Sequence, residues 1–171
     1  MIPRIQKILY ATDLSKNSSY AFLYAIDLAQ KRDSKIVILH VVEPISQRMR
    51  SSFEGYGDAF EKLKDKEQHD DVEIIKKRLN KFCTNVEVQT GTACSKLVSE
   101  ILVPLGHPVE EILKTADEAK CDLIIMGTHG KGLLKHTFLG SVARSVLDRT
   151  RKPIFVIPLP SGKTSLDLGE I

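Results

Sequence analysis

The sequence predicts an α/β fold in which a parallel sheet is covered by helices on both faces. Three observations lead there. Apolar, β-branched runs alternate with helix-period segments along the chain, the pattern of strands joined by crossover helices. The run KIVILHVV at 35–42 is almost continuously apolar, as a strand buried on both faces is. The chain has 171 residues and is 42% hydrophobic, which suits one domain with an ordinary core. The expectation is a single domain over residues 1–160, a mobile tail over 161–171, and right-handed crossovers.

The elements follow in order. Residues 5–11 read as the first strand, and Thr12, Asp13, Leu14 and Ser15 as a turn. Over 17–31, Ala21, Tyr24, Ala25, Leu28 and Ala29 recur on one helical face, with Ser15 placed to cap that helix. The strand at 35–42 ends at Glu43 and Pro44. Residues 45–57 are polar; with Arg48, Arg50 and the hinge glycines Gly55 and Gly57, they read either as a mobile flap or as a disordered loop with no role. Residues 58–82 predict a helix carrying Phe60, Leu63, Ile75, Leu79 and Phe82 around a charged, solvated middle. Residues 86–89 (VEVQ) alternate as a short strand, 91–96 read as an excursion, and 99–105 as extended chain. Pro108 opens a helix whose stripe is Val109, Ile112, Leu113, Ala116 and Ala119. Residues 122–126 are the next strand. A helix from about Leu139 turns Val142, Ala143, Val146 and Leu147 inward, and 154–157, between Pro153 and Pro158, is the last strand.

Composition excludes several classes. The formal charge is +3, with 25 Lys and Arg interleaved among 22 Asp and Glu, so no nucleic-acid face stands out. Cys83, Cys94 and Cys121 form no Cys-x-x-Cys pair and read as reduced thiols. No apolar stretch approaches the roughly 18 residues of a membrane span, and no signal peptide precedes the first strand. A soluble, cytoplasmic protein with no membrane partner is expected.

The stretch GTHGKGLLKHTFLGS, 127–141, directly follows LIIM and holds four glycines. Glycine loses more backbone entropy on folding than any other residue, so their concentration calls for a purpose. Ligands of open α/β sheets sit beyond the carboxyl ends of the strands. Gly140 and Ser141 lie where the next helix begins, and free N–H groups with the positive end of the helix dipole favour an anion there. Two phosphate motifs fail. The P-loop glycine required before Gly162-Lys163-Thr164 falls on Ile157, and the third glycine of a dinucleotide fingerprint falls on Lys135.

The spacing present is Gly127, two residues, Gly130, nine residues, Gly140, Ser141. Here the chain resembles the nucleotide-binding branch of the universal stress protein family, whose motif Gly-x2-Gly-x9-Gly-[Ser/Thr] it matches in full. The resemblance extends to ILYATDLSKNS, VILHVVEP, GHPVEEIL, CDLIIMGTHG and KPIFVIP. It implies an open five-stranded parallel sheet of order 3-2-1-4-5, Rossmann-like, binding ATP at its carboxyl edge with Mg or Mn held through the phosphates. Carried over by position, Ala11, Thr12 and Asp13 end the first strand, with Asp13 near the ribose and phosphates. Val41 is an adenine contact, and Met126 and Gly127 flank the nucleoside. Gly130, Gly140, Ser141 and Val142 hold phosphates, with His129 beside them. Ala143 stands where some relatives carry a hydroxyl and offers its N–H alone. The resemblance further implies a homodimer paired through the last strand, Ile154–Ile157.

Two function classes follow. One is an ATP-binding stress or signalling switch with at most slow hydrolysis. The other is an ATP-hydrolysing or nucleotidyl-transferring enzyme of the same fold. Adenylating relatives carry Ser-Gly-Gly-x-Asp-Ser after the first strand, where this chain reads Thr12-Asp13-Leu14-Ser15-Lys16. Single residues also have plainer readings: Asp13 as a turn former, Gly127 as a packing glycine, His129, Lys131, Lys135 and His136 as solvated loop residues, and His40 as a hydrogen-bonded core residue. Asp122 sits at the amino end of its strand, away from the proposed site.

Overall fold

The computed structural model describes residues 2–44, 57–128, 139–159 and 171, with the backbone alone over 57–70. Its strands are β1 (Lys7–Ala11), β2 (Lys35–Leu39), β3 (Val98–Leu102), β4 (Leu123–Gly127) and β5 (Ile154–Ile157). They form one sheet in the order β3-β2-β1-β4-β5, with every pairing parallel. The helices are α1 (Lys16–Arg32), α2 (Gly57–Thr90), α3 (Cys94–Leu97), α4 (Pro108–Glu118) and α5 (Ser141–Arg149). Fold class and strand order are those expected.

Alternate residues of the central strands enter different cores. Ile8, Tyr10, Ile36, Ile38, Leu123 and Ile125 pack with Phe22 and Ala25 of α1 and with Leu79 and Phe82 of α2. Leu9, Ala11, Val37, Leu39, Ile124 and Met126 pack with Val109 and Ile112 of α4 and with Ala143 and Val146 of α5. A side-chain period of two thus buries both faces, which is why these strands are apolar runs rather than alternating ones.

Several sequence expectations are corrected. On α1 the inner face carries Phe22 and Ile26 beside Ala21, Ala25 and Ala29, while Tyr24 is 44% exposed. Phe22 places its ring 4.8 Å from that of Tyr10 and 5.3 Å from that of Phe82, whereas Tyr24 meets Tyr20 edge-on at the surface. Residues 86–89 are not a strand: α2 continues to Thr90. Leu79, Phe82, Cys83 and Val86 are buried at helical spacing, and Val88 is 81% exposed, so the helical stripe outweighs the local alternation. Gly91 adopts φ 69 and its N–H donates to the Glu87 carbonyl at 2.9 Å, a left-handed helix stop that favours glycine. The edge strand beside β2 is β3, and the expected excursion overlaps α3. Helix α5 begins at Ser141, and Leu147 points outward at 46% exposure, a step round from buried Val146.

Residues 45–56 of the expected flap lie outside the described residues, and Gly57 is the first residue of α2 rather than a loop hinge. Residues 160–170 of the expected tail also lie outside them. Ile171 is not loose: it is buried, its N–H donates to the Leu14 carbonyl at 3.1 Å, and the Arg78 guanidinium donates to its carbonyl. Asp122 has a structural task, since its Oδ2 accepts the N–H groups of Gln6 at 2.8 Å and Lys7 at 3.0 Å. Among the described residues no helix is long and apolar enough to cross a membrane.

Candidate functional site

Strand order reverses direction between β1 and β4, and crevices form at such switch points. The carboxyl ends of β1, β2 and β4 and the start of α5 enclose a cavity of about 680 Å³, within the range of small-molecule sites. The structure brings Ala11, Thr12, Asp13, Val41, Met126, Gly127, Gly140, Ser141, Val142 and Ala143 to its wall. His129 and Gly130 lie outside the described residues, as do Lys131, Lys135 and His136.

The α5 end of the cavity is rich in backbone amides. Gly140 is the N-cap, with φ −63 and ψ 156, and no side chain caps the helix among the described residues. The Arg144 N–H donates to the Gly140 carbonyl at 2.9 Å. The amides of Ser141, Val142 and Ala143 precede that bond, so they have no intrahelical acceptor and point out of the helix start. Gly140 donates its own N–H to the Thr128 carbonyl at 2.7 Å, which draws the two ends of the 129–138 segment together.

The opposite wall is held by a tight turn after β1. Leu14 is a non-glycine residue at φ 68, a conformation that needs local support. Thr12 Oγ1 accepts the Leu14 N–H at 3.0 Å and shares a 2.8 Å hydrogen bond with Ser18 Oγ. Asp13 Oδ1 accepts both the N–H and the hydroxyl of Ser15, at 3.1 and 2.6 Å, while Ser15 Oγ accepts the Ser18 N–H at 3.3 Å and caps α1 as expected. Asp13 is therefore a turn former that also lines the cavity. His40 is half-buried and donates from Nδ1 to the Thr12 carbonyl at 2.8 Å, so its Nδ1 carries a proton.

Gly127 answers to a different neighbour. A Cβ there would stand 2.8 Å from Oδ1 and 2.9 Å from Cγ of Asn17. Asn17 is buried; its Nδ2 donates to the Ile157 carbonyl at 3.2 Å, and its Oδ1 accepts the Thr128 hydroxyl at 3.3 Å. The glycine at the end of β4 lets α1 clamp the ends of β4 and β5. Sequence reasoning missed Asn17, whose signal was the polar trio Asn17-Ser18-Ser19, all buried, in an otherwise apolar helix face. It also missed Arg144 at the α5 start and left Glu43 aside; both line the cavity.

Chemically the cavity has two ends. Leu39, Val41, Ile112 and Met126 give an apolar wall suited to a flat ring, and the α5 amides with Arg144 suit an anion. Among the described residues, Asp13 and Glu43 are the carboxylates that line the cavity. Among the described residues no group of three or more His, Cys, Asp or Glu is placed to hold a metal ion by itself.

Comparison with known proteins agrees with this architecture. The model of the universal stress protein family matches residues 4–158. The universal stress protein MJ0577 of Methanocaldococcus jannaschii is 30% identical over 158 residues, covering 89% of this chain and 94% of that protein. The universal stress protein MJ0531 of the same organism is 31% identical over 155 residues, covering 91% and 83%. The solved structure of MJ0577 superposes with a TM-score of 0.73 at 25% identity over 94% of this chain and all of that one. A universal stress protein solved in complex with cAMP has the same fold, with a TM-score of 0.53 at 22% identity over 91% of this chain and 98% of that one.

Proposed function

The chain belongs to the universal stress protein family, and from that premise we propose that its cavity binds ATP and that the protein works as a nucleotide-dependent homodimeric switch in the cytoplasm. One observation carries the reading: a helix start with a glycine N-cap and no side-chain cap among the described residues faces an apolar wall across a cavity of about 680 Å³. The adenine lies along Val41 and Met126. The phosphates meet the amides of Ser141, Val142 and Ala143, with Gly130 and His129 completing the motif. Asp13 and Glu43 are the carboxylates that reach the ribose or a Mg or Mn ion brought by the phosphates.

Turnover in this reading is slow. Fast hydrolysis needs a residue that positions the attacking water. Asp13 Oδ1 is held by Ser15, and His40 Nδ1 is held by the Thr12 carbonyl. A rate well below ~1 s⁻¹ is expected. Phosphate release under excess ATP and magnesium checks it; a rate above about 1 s⁻¹ that Asp13→Asn abolishes would make the protein an ATPase.

The dimer uses β5, an edge strand whose Phe155 is 45% exposed. A bare apolar edge invites pairing, and pairing with its own copy about a two-fold axis closes the assembly. Light scattering at micromolar concentration should give the mass of two chains; a monomer there removes this part of the reading.

Titration with ATP, ADP and cAMP tests the site. Gly140→Val puts a branched side chain at the start of α5 and should weaken ATP at least tenfold, about 1.4 kcal/mol. Equal ATP affinity in the folded variant and the parent would remove the site.

A further inference from the structure

We propose that Arg144 makes the cavity select nucleoside di- and triphosphates over monophosphates and cyclic monophosphates, by taking the terminal phosphate at the mouth of the site. The inference rests on the nucleotide reading of this cavity and names the residue that counts phosphates. Helix α5 carries two arginines, in opposite electrostatic settings. Arg149 lies in the last turn, where the helix dipole favours a cation, and it donates to Glu110 at 2.6 and 3.0 Å. Arg144 is the fourth residue, at the end of the first turn, where the dipole disfavours a cation. Among the described residues no carboxylate lies within ion-pair distance of Arg144, and no hydrogen bond holds its guanidinium. An unpaired cation at the positive end of a helix breaks a local rule of stability, and such breaks are expected at functional sites.

Position and charge explain the selection. Ser141, Arg144 and Ser145 line the cavity and, at helical spacing, share one face of α5. Ala143 and Val146 are buried in the core on another face. Long helical side chains cover the turn that precedes their own Cα, so the reach of Arg144 includes the Gly140–Ser141 turn, where the free amides lie. Those amides carry roughly half a unit of positive charge, which suits the first phosphate. Asp13 and Glu43 line the same cavity and repel each phosphate that is added. Among the described lining residues Arg144 is the one Lys or Arg, and its planar fork matches two oxygens of a phosphate. It is exposed, so it meets the outer end of a phosphate chain. A monophosphate seated on the amides ends before reaching it.

The test titrates the full chain calorimetrically with adenosine, AMP, cAMP, ADP and ATP in magnesium buffer. In the parent, affinity should rise at least about tenfold from AMP to ATP, with cAMP no tighter than AMP. Arg144→Gln should weaken ATP at least about tenfold and leave adenosine and AMP within about twofold. Arg144→Lys keeps the charge without the fork and should fall between the two. Added salt should weaken ATP more in the parent than in Arg144→Gln, because it screens the lost charge pair. Without ligand, Arg144→Gln should melt no lower than the parent, since a cation has left the positive end of α5. A parent that binds none of the nucleotides would remove the ATP reading of the cavity and this assignment with it. A parent that binds ATP no better than AMP, or a variant that weakens all five ligands alike or none, would leave the ATP reading standing and overturn the assignment to Arg144.

Discussion

Helices α1 and α5 both start at the carboxyl edge of the sheet, after β1 and β4, but their first turns are closed differently. The α1 start is finished by its own chain: Ser15 caps it, Asp13 holds Ser15, and Thr12 bonds Ser18. Asn17 then ties it to the ends of β4 and β5. The α5 start has a glycine cap and no side-chain cap among the described residues. Polar groups satisfied internally stabilise the fold, and those left facing a cavity are available to a ligand. The difference separates a structural helix start from a binding one within one sheet edge.

The comparison can be broken experimentally. The largest effect is expected at the structural start. Gly127→Ala pushes a methyl against Asn17 and should destabilise by about 2 kcal/mol, as overpacking does. Urea unfolding measures it, and Asn17→Ala in the same chain should make the two losses non-additive. Strict additivity would mean that Asn17 does not confine Gly127.

At the open start, Ser141→Asp places a carboxylate in the first turn of α5. Fold stability should rise by about 0.5 kcal/mol through the helix dipole. ATP affinity should fall at least tenfold, about 1.4 kcal/mol. A variant that gains stability and keeps its affinity would show that no anion sits there.

Ser15→Ala removes the α1 cap and should cost about 1 kcal/mol. ATP affinity should stay within about twofold, and a larger change in calorimetric titration would erase the distinction between the two starts.

The smallest effect lies away from both. Arg149 at the end of α5 forms a two-pronged pair with Glu110 of α4, at 2.6 and 3.0 Å. Hydrogen bonds from Arg149 hold the Glu110 carboxyl below its ordinary value of 4.5. The pair's contribution is complete above that value and is lost as pH falls through the lower folded one. The melting-temperature difference between the parent and Glu110→Gln should be small at neutral pH, as for exposed pairs, and should shrink on acidification below 4.5. A difference that grows on acidification would contradict the sign.

Much of this was legible in the sequence, for physical reasons. β1, β2 and β4 are buried apolar runs, and such runs advertise themselves; β5 is apolar at every position although it lies at a sheet edge and only Ile157 of it is buried. β3 is an edge strand with mixed exposure, so its pattern is faint, while the valines at 86 and 88 alternate like a strand although Leu79, Phe82, Cys83 and Val86 continue a helical stripe. The glycine spacing marked the cavity because backbone geometry is written in residue type. Asn17, His40 and Arg144 were not legible as site residues, since each matters through a contact distant in sequence or through a helix start that only the fold brings to the cavity.

The hydrogen bond from Gly140 to the Thr128 carbonyl has an evolutionary consequence. Eleven residues separate its two ends, so the chain leaves the frame and returns to it at almost one point. Doubling the length of such a loop adds only about 0.6 kcal/mol of closure entropy. Insertions, deletions and wholesale exchange of residues 129–138 are therefore nearly neutral for the sheet, and a lineage can rewrite this stretch of sequence while inheriting the strand end and helix start on either side of it unchanged.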